Sequence, residues 1–300
     1  MKAHRNPTQH AVQRLTIATL MIGPGLTAIA AEWSDTAISW RYGTTFAEPF
    51  INQDIKKNII ALTHVSGYKY GTNFLNVDML LSDEKDPSHF SNSSEGAHEV
   101  YVVYRHTVDF GKIRGSDIKY GPIRGVGATV GFDLNTKTDV GYNSKKRMLV
   151  AGPTLMMDVP GFLNVSLLAL WESNQPSGKR FPPEGGPVDY SVNRYDYDVH
   201  PMLTAAWGIP LGSLPLSFEG FANFIASKGD DEFGGKTAPE TNIDMQVMWD
   251  LGAAMGSAKN TFRVGLEYQY WRNKFGNNHS GPAGEGAFAK TPMIRVEYHF

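Results

Sequence analysis

The chain has 300 residues, with 28 basic and 30 acidic side chains and no cysteine. Its bases are scattered, which excludes the clustered Lys and Arg surface that nucleic acid binding requires. The absence of cysteine excludes disulfides, thiol catalysis, a lipid-attachment cysteine and thiolate metal sites. A low mean hydropathy does not exclude a membrane barrel, because only every second side chain of a barrel wall faces lipid.

The first thirty residues have the layout of a secretory signal peptide. A basic stretch, residues 1–14, is followed by an apolar stretch, residues 15–29, and by small residues at Ala28, Ala30 and Ala31. Gly23, Pro24 and Gly25 interrupt the apolar stretch, which falls short of the ~20 apolar residues of a spanning helix. We therefore expect residues 1–30 to be cleaved on export, with Ala31 as the alternative cleavage point, and residues 31–300 to form one domain.

From residue 37 onward, segments of about ten residues alternate apolar and polar side chains, the two-residue period of a β-strand. In residues 241–253, for example, Ile243, Met245 and Val247 lie on one face, and Asp244 and Gln246 lie on the other. The alternation predicts twelve strands, at residues 37–43, 57–66, 72–82, 97–107, 122–135, 147–158, 162–172, 195–208, 216–228, 241–253, 261–273 and 290–300.

The connections between these strands alternate in length. Long polar connections at 83–96, 136–146, 173–194, 229–240 and 274–289 interleave with generally shorter ones such as 160–161. Bacterial outer-membrane barrels have long outer loops and short periplasmic turns, and an even strand number places both termini in the periplasm. The sequence therefore predicts an all-β fold, a 12-stranded antiparallel transmembrane β-barrel in the outer membrane of a Gram-negative cell.

A strand of a secreted β-sandwich would also alternate, so that fold is the alternative. Two features disfavour it. The outward faces carry large apolar residues, unlike the polar face of a water-exposed sheet. In addition, tryptophans lie near predicted strand ends, where an interfacial girdle would place them: Trp40, Trp171, Trp207, Trp249 and Trp271.

The last predicted strand ends on an aromatic residue, Phe300. Ile294, Val296, Tyr298 and Phe300 share one face of this strand. A terminal Phe that follows alternating apolar residues resembles the signal read by the bacterial barrel-assembly machinery. We therefore expect that machinery and outer-membrane lipid to be partners of the chain.

Twelve strands imply a lumen between the filled interior of an eight-stranded barrel and the wide channel of a porin. The predicted inward faces are polar and rich in acids, and they include aromatic residues that can stack on a planar base. Such charges can also simply pair with one another across the wall. The lumen-facing candidates for substrate binding are Phe74, Asn76, Asp78, Tyr101, Arg105, Glu219, Asn223, Arg263, Glu267, Arg295 and Glu297; Asp196, Asp198 and His200 are also predicted to face inward.

The sequence does not indicate an enzyme, a cofactor or a metal site. A hydrolase needs a nucleophile beside a His and an orienting group, and the Gly-x-Ser-x-Gly motif is absent. No His or acid pair has diagnostic metal-ligand spacing, and residues 230–232 are typical of a solvated outer-loop tip.

Several motifs together resemble the Tsx-like family of nucleoside-specific channel-forming outer-membrane proteins. They are SWRYGTTFAEPF at 39–50, GYKYGTNFLNVD at 67–78, LPLSFEGFANF at 214–224, GLEYQYWRNK at 265–274 and RVEYHF at 295–300. The resemblance covers the mature chain as a pattern of strand motifs, and residues 67–78 are its most specific part. It implies a monomeric twelve-stranded barrel with weak nucleoside sites in a narrow lumen, used for passive uptake.

Three functional hypotheses follow, in this order. The first is a passive diffusion channel selective for nucleosides or similar small solutes. The second is a general or oligosaccharide-selective small porin, which the fold permits equally. The third is a barrel that does not transport, either a lipid-acting enzyme or a surface-binding protein, which a lumen plugged by its own side chains would favour.

Overall fold

The structure, a computed structural model, describes residues 31–86, 95–180 and 182–300. The predicted signal peptide, residues 1–30, lies outside the described residues. The strands are β1 Trp33–Glu48, β2 Ile51–Tyr68, β3 Gly71–Asp83, β4 Glu95–Asp109, β5 Ile123–Lys137, β6 Lys145–Met157, β7 Phe162–Asn174, β8 Ser177–Arg180, β9 Val188–Ser191, β10 Tyr195–Asp196, β11 His200–Pro210, β12 Leu216–Ile225, β13 Glu240–Asp250, β14 Phe262–Arg272 and β15 Phe288–His299. One short helix, α1 Phe110–Arg114, follows β4, and 3₁₀ turns occur at Ala253–Met255, Lys274–Gly276 and Glu285–Ala287.

Twelve of these strands, β1–β7 and β11–β15, form one closed antiparallel sheet. Closure comes from β15, which pairs with β1 from Ala37 opposite His299 to Gly43 opposite Met293. The short strand β10 continues the ladder along β7, and β8 and β9 form a separate hairpin in the connection between β7 and β11. The predicted 12-stranded antiparallel barrel is confirmed.

Alternating side chains along each strand divide the wall into an apolar outer face and a mostly polar inner face. On β7, Leu167 points outward and is 55% exposed, whereas its neighbour Leu168 is buried. Small apolar clusters remain inside, one of them formed by Phe46, Ile55 and Met293 with Ile59. Among the described residues, no helix is long and apolar enough to cross a membrane.

Both ends of the barrel chain, the start of β1 and the end of β15, lie at the same rim. With the termini on the periplasmic side, the outer rim is formed by the described residues of the connections at 49–50, 84–86, 138–144, 175–180 with 182–199, 226–239 and 273–287. The connections at 69–70, 110–122, 158–161, 211–215 and 251–261 belong to the periplasmic rim. The three longest connections, 175–199, 273–287 and 226–239, belong to the outer rim, although the periplasmic rim also has two long ones, 110–122 and 251–261.

The structure corrects several details of the sequence prediction. Strands β1 and β2 continue through residues 44–56, which the prediction left between strands, and turn at Pro49 and Phe50. The predicted strand 195–208 is interrupted between β10 and β11. This break shifts the phase of the alternation, so Tyr197 is buried while Asp196 and Asp198 are exposed and do not line the lumen.

Candidate functional site

A continuous chain of charged side chains runs along the inner wall from the middle of the barrel toward the periplasmic rim. We call it the arginine belt, and it consists of Arg41, Asp78, Glu219, Arg263, Glu267, Arg295 and Glu297. Its members lie on β1, β3, β12, β14 and β15, at inward positions of the alternation. The ion pairs of Glu267 with Arg295 and of Arg263 with Glu297 join the paired strands β14 and β15, whose inward positions lie side by side. The other contacts between strands, Arg41 with Asp78 and Glu267 and Arg263 with Glu219, reach across one intervening strand.

Arg41 is the centre of one half of the belt. Its Nη1 donates to Glu267 Oε1 at 3.2 Å, and its Nη2 contacts the carboxylate of Asp78. Asn76 Nδ2 also donates to Asp78 Oδ1 at 2.9 Å. Arg295 Nη1 binds the other oxygen of Glu267 at 2.8 Å. The carboxylate of Glu267 is therefore shared between two guanidinium groups, and this half of the belt is internally paired.

The other half of the belt is centred on Arg263. Arg295 Nη2 lies 2.6 Å from Glu297 Oε1, and Arg263 Nη1 lies 3.4 Å from Glu297 Oε2. Arg263 Nη2 contacts Glu219 and donates to Ser217 Oγ at 2.5 Å. A separate pair lies on β4 and β5, where Arg105 Nη2 donates to Asp133 Oδ2 at 3.1 Å.

A second charged region lies nearer the outer rim, and its cations are all lysines. We call it the lysine layer: Lys57, Lys137, Lys146, Lys228 and Lys274, with Glu48, Asp86 and Glu172. Glu48 Oε1 lies 2.6 Å from Lys57 Nζ and 2.8 Å from Lys274 Nζ. Glu172 Oε1 lies 2.7 Å from Lys228 Nζ and 3.1 Å from Lys146 Nζ.

These buried lysines are held as cations by their carboxylates, since an unpaired ammonium away from water is costly. Lys228, in the connection after β12, illustrates the balance. Burial lowers the pKa of Lys228, and the carboxylate of Glu172 opposes that effect. The lysine layer therefore depends on its ion pairs to remain charged.

A partly open cavity of about 50 Å³ lies beside the lysine layer. Trp271 lines it and donates from Nε1 to Glu240 Oε1 at 2.5 Å. The ring of Phe275 packs edge-on against Trp271, with centroids 4.8 Å apart, and Lys146 Nζ lies 4.3 Å from the centre of the Phe275 ring. Tyr101, Asn223 and Asn242 also line the cavity. A volume of this size holds a few water molecules, so a larger solute would require side chains to move.

Trp271 corrects the predicted aromatic girdle. Its place on the inward face of β14, two residues from Gln269, puts it in the lumen rather than at the lipid interface. Trp40, Trp171 and Trp249 are exposed on the outer wall, whereas Trp207, also on the outward face, is half-buried against Phe218. The alternation of 261–273 already placed Trp271 in phase with Arg263 and Glu267.

Outer connections fold over the rim and are tied together by Glu232. The carboxylate of Glu232 accepts from Tyr197 Oη at 2.5 Å, from Asn174 Nδ2 at 3.3 Å and from the hydroxyl of Tyr142. Burial and the charge of Glu232 raise the pKa of Tyr142 and of Tyr197 well above the usual range, so both hydroxyls stay protonated and donate. The prediction of a solvated tip at 230–232 was wrong for Glu232.

A second outer connection, residues 273–287, also folds inward. Asn273 and Phe275 both have positive φ, 53° and 59°, a conformation that is uncommon for residues other than glycine. Lys274, between them, donates from Nζ to the backbone oxygen of Ala47 at 2.9 Å and to Glu48. The strained backbone is held by these contacts, and it places the ring of Phe275 at the cavity.

All eleven predicted lumen-facing candidates lie at inward positions, but they do not form one cluster. Six belong to the arginine belt, and Asn76 hydrogen-bonds to it. Arg105 and Tyr101 both contact Asp133, and Asn223 accepts from Thr204 Oγ1 at 2.6 Å and lines the cavity with Tyr101. Phe74, 36% exposed, lies opposite Arg105 near the periplasmic end, away from the cavity. The six belt members are Asp78, Glu219, Arg263, Glu267, Arg295 and Glu297.

The sequence analysis missed Arg41 and all five lysines of the lysine layer. Lys137 lies two residues beyond Asn135 and four beyond Asp133, so the alternation pointed it inward. It was missed because the predicted strand ended at residue 135, whereas β5 continues to Lys137. Lys57 stood at the edge of its predicted strand and Lys146 just outside its own, where the inward phase is hardest to see.

No protein-family model and no curated protein matches the chain. Solved structures with similar topology include the translocator domain of the autotransporter NalP from Neisseria meningitidis, at 13% identity over 89% of this chain and 88% of that chain, with a TM-score of 0.46. The KdgM porin is similar at 9% identity over 88% of this chain and 99% of that chain, with a TM-score of 0.41. Similarity at this level accompanies the shared barrel architecture and carries nothing about function.

The closed sheet, the apolar outer wall and the polar interior define the chain as an outer-membrane β-barrel of twelve strands.

Proposed function

We propose that the chain is an outer-membrane channel for passive uptake of small, uncharged polar solutes, with nucleosides as the leading class. The observation that carries this proposal is the cavity, where the rings of Tyr101, Trp271 and Phe275 stand beside the amides of Asn223 and Asn242. Aromatic faces stack on a planar base, and amides bond to sugar hydroxyls and base edges. The resemblance to the Tsx-like family supports the same solute class.

The charged regions on the wall favour an uncharged cargo. In the belt, Arg41 and Arg295 are both paired with Glu267. In the lysine layer, Lys228 is paired with Glu172. An ion that entered would have to compete for groups that already have partners, whereas a nucleoside needs only free faces of aromatic and amide groups. The channel is therefore expected to conduct salt poorly.

Passage requires movement, because the cavity of about 50 Å³ is smaller than a nucleoside. The long side chains of Lys146 and Lys228 border the cavity and are flexible enough to swing aside. In this proposal they separate the outer mouth from the cavity between passage events.

The Trp271→Ala variant tests the proposal through base stacking. Stacking of one base on one ring contributes about 1–3 kcal/mol, so the concentration of nucleoside that half-blocks conductance in planar bilayers should rise roughly five-fold or more. Trp249→Ala is the matched control, because Trp249 lies exposed on the outer wall. Equal changes in the two variants would contradict a stacking site at Trp271.

Liposome swelling separates the remaining candidates. Faster swelling with nucleosides than with sugars of equal mass supports the proposal, whereas equal rates indicate a general small porin.

The paired charges that fill the lumen also favour a second candidate, a barrel that does not transport. Absence of both swelling and conductance would establish that second candidate.

A further inference from the structure

A group of basic side chains lies on the outward wall at the outer ends of β6 and β7. We call it the outer basic patch, and it consists of Lys145, Arg147 and Arg194. Lys145 and Arg147 are exposed and alternate with the inward-facing Lys146 and Met148. Arg194 reaches the same place from the connection before β10. The patch is therefore on the lipid-facing side, separate from the lumen.

Ser173 brings the two arginines together. Arg194 Nη1 donates to Ser173 Oγ at 3.0 Å, and its Nη2 donates to the backbone oxygen of Lys145 at 3.2 Å. Arg147 is the register partner of Ser173 on β6. Burial, and then the charge of Arg147, lower the pKa of Arg194, which agrees with two guanidinium groups side by side.

The patch keeps a net positive charge. Within the described parts of the chain, Arg147 has no hydrogen bond or ion pair through its side chain. Asp196 faces Ser173 from β10 and partly offsets the charge of Arg194. Three bases against one acid leave two positive charges without a partner in the protein, next to a membrane.

The apolar wall begins directly below the patch. Leu149 and Trp171, a register pair, are 60% and 44% exposed. Leu149 lies two residues from Arg147, a distance of roughly 7 Å along the strand. The patch is thus at the level where the head groups of outer-leaflet lipids meet their acyl chains, with Trp171 at the boundary.

We propose that the outer basic patch binds the phosphate group of a phosphorylated lipid of the outer leaflet, with the lipid's acyl chains along Leu149, Leu167 and Trp171. Guanidinium groups bind phosphate oxygens in a bidentate manner, and Arg147 has its donors free for this. The exposed apolar side chains below it provide the surface that a free phosphate ion would not use.

Native mass spectrometry of the purified full barrel, titrated with bisphosphorylated lipid A and with chemically dephosphorylated lipid A, tests the proposal. The Arg147→Gln/Arg194→Gln variant should bind the phosphorylated form roughly thirty-fold more weakly, because each base near a membrane surface contributes about a factor of five. Arg114→Gln/Lys259→Gln is the matched control, because both residues are exposed at the periplasmic rim. The control should bind like the original chain.

The single variant Arg147→Gln is included because the double variant could also disturb folding. Arg194 holds the connection before β10 against the wall, whereas Arg147 does not. Heat-modifiable migration on a gel reports that each variant is folded. Equal binding of both lipid forms, or unchanged binding in the folded Arg147→Gln variant, would overturn the proposal. So would displacement of the lipid by an equal concentration of inorganic phosphate, since free phosphate would then be the ligand.

Discussion

At the scale of single residues, Arg41 has the largest structural role in the arginine belt. It is almost fully buried and contacts carboxylates on two different strands, Asp78 on β3 and Glu267 on β14. Burial of an unpaired carboxylate costs much more than a surface charge. The side chain of Arg41 therefore stabilises the wall on either side of the β1–β15 seam.

We expect Arg41→Gln to lower the free energy of unfolding by about 3 kcal/mol, because it leaves Asp78 without its guanidinium partner and Glu267 with Arg295 alone. Urea titration of the barrel in detergent micelles measures this change. Arg114→Gln, at an exposed site on α1, removes the same charge and should change the midpoint little. A similar midpoint for the two variants would mean that Asn76, Arg295 and lumen water compensate Asp78 and Glu267 without Arg41.

At the scale of elements, the outer connections determine access to the cavity. Residues 226–239 are tied to the rest of the rim through Glu232, which accepts from Tyr142, Tyr197 and Asn174. The ring of Phe233, next in sequence, packs near Tyr142 and Tyr190. This connection is therefore held to the rest of the rim by the carboxylate of Glu232, the ring of Phe233 and the ion pair of Lys228 with Glu172.

If the chain is the channel proposed above, Glu232→Gln should increase the time it spends open, because an amide accepts more weakly than a carboxylate and the two tyrosines would be held less firmly. Single-channel recordings in planar bilayers measure open probability. Tyr142→Phe/Tyr197→Phe removes the same hydrogen bonds without changing charge and should behave alike. Glu184→Gln, exposed in the connection 175–199, is the control and should leave the open probability unchanged.

The strands were predictable because lipid contacts only one face of the wall. Apolar and polar side chains therefore alternate with a period of two residues along each strand. Predicted and observed strands agree to within about three residues for most of the wall, including β3, β7 and β14. The first hairpin was underestimated because Phe46 and Ile55 pack inside the barrel, which breaks the simple polar-inside pattern. The interruption before His200 could not be read from the sequence, since the residues on both sides of it alternate in the same way.

The candidate site was predictable only in part. Inward facing follows from strand phase, and the arginine belt was therefore largely found. The lysine layer, Phe275 and Glu232 depend on how strand ends and outer connections fold over the rim. Such contacts join residues far apart in sequence, for example Lys274 and Glu48, and no local pattern encodes them.

At the scale of the whole molecule, the barrel exists only when its first and last strands pair. Strand β15 pairs with β1 over seven register positions, and the backbone N–H of Phe300 donates to the oxygen of Thr36 at 2.9 Å. The ring of Phe300 is 67% exposed and stacks on Tyr298. The ring therefore contributes little to the stability of the finished barrel, although the strand it ends completes the sheet.

Because the ring of Phe300 is exposed while its strand closes the barrel, a substitution of the ring can affect assembly without affecting the stability of the assembled barrel. If the assembly machinery reads Phe300, Phe300→Ala should lower the assembled fraction in cell envelopes several-fold. For barrel that does assemble, the free energy of unfolding measured by urea titration should change by less than about 0.5 kcal/mol, since exposed side chains contribute little and the backbone bond to Thr36 remains. Phe224→Ala, an exposed aromatic on β12, is the control and should assemble normally. Loss of assembly in both variants would mean that assembly depends on the hydrophobicity of the outer wall rather than on Phe300. Loss of stability in Phe300→Ala alone would mean that the Phe300 side chain stabilises the pairing of β1 with β15.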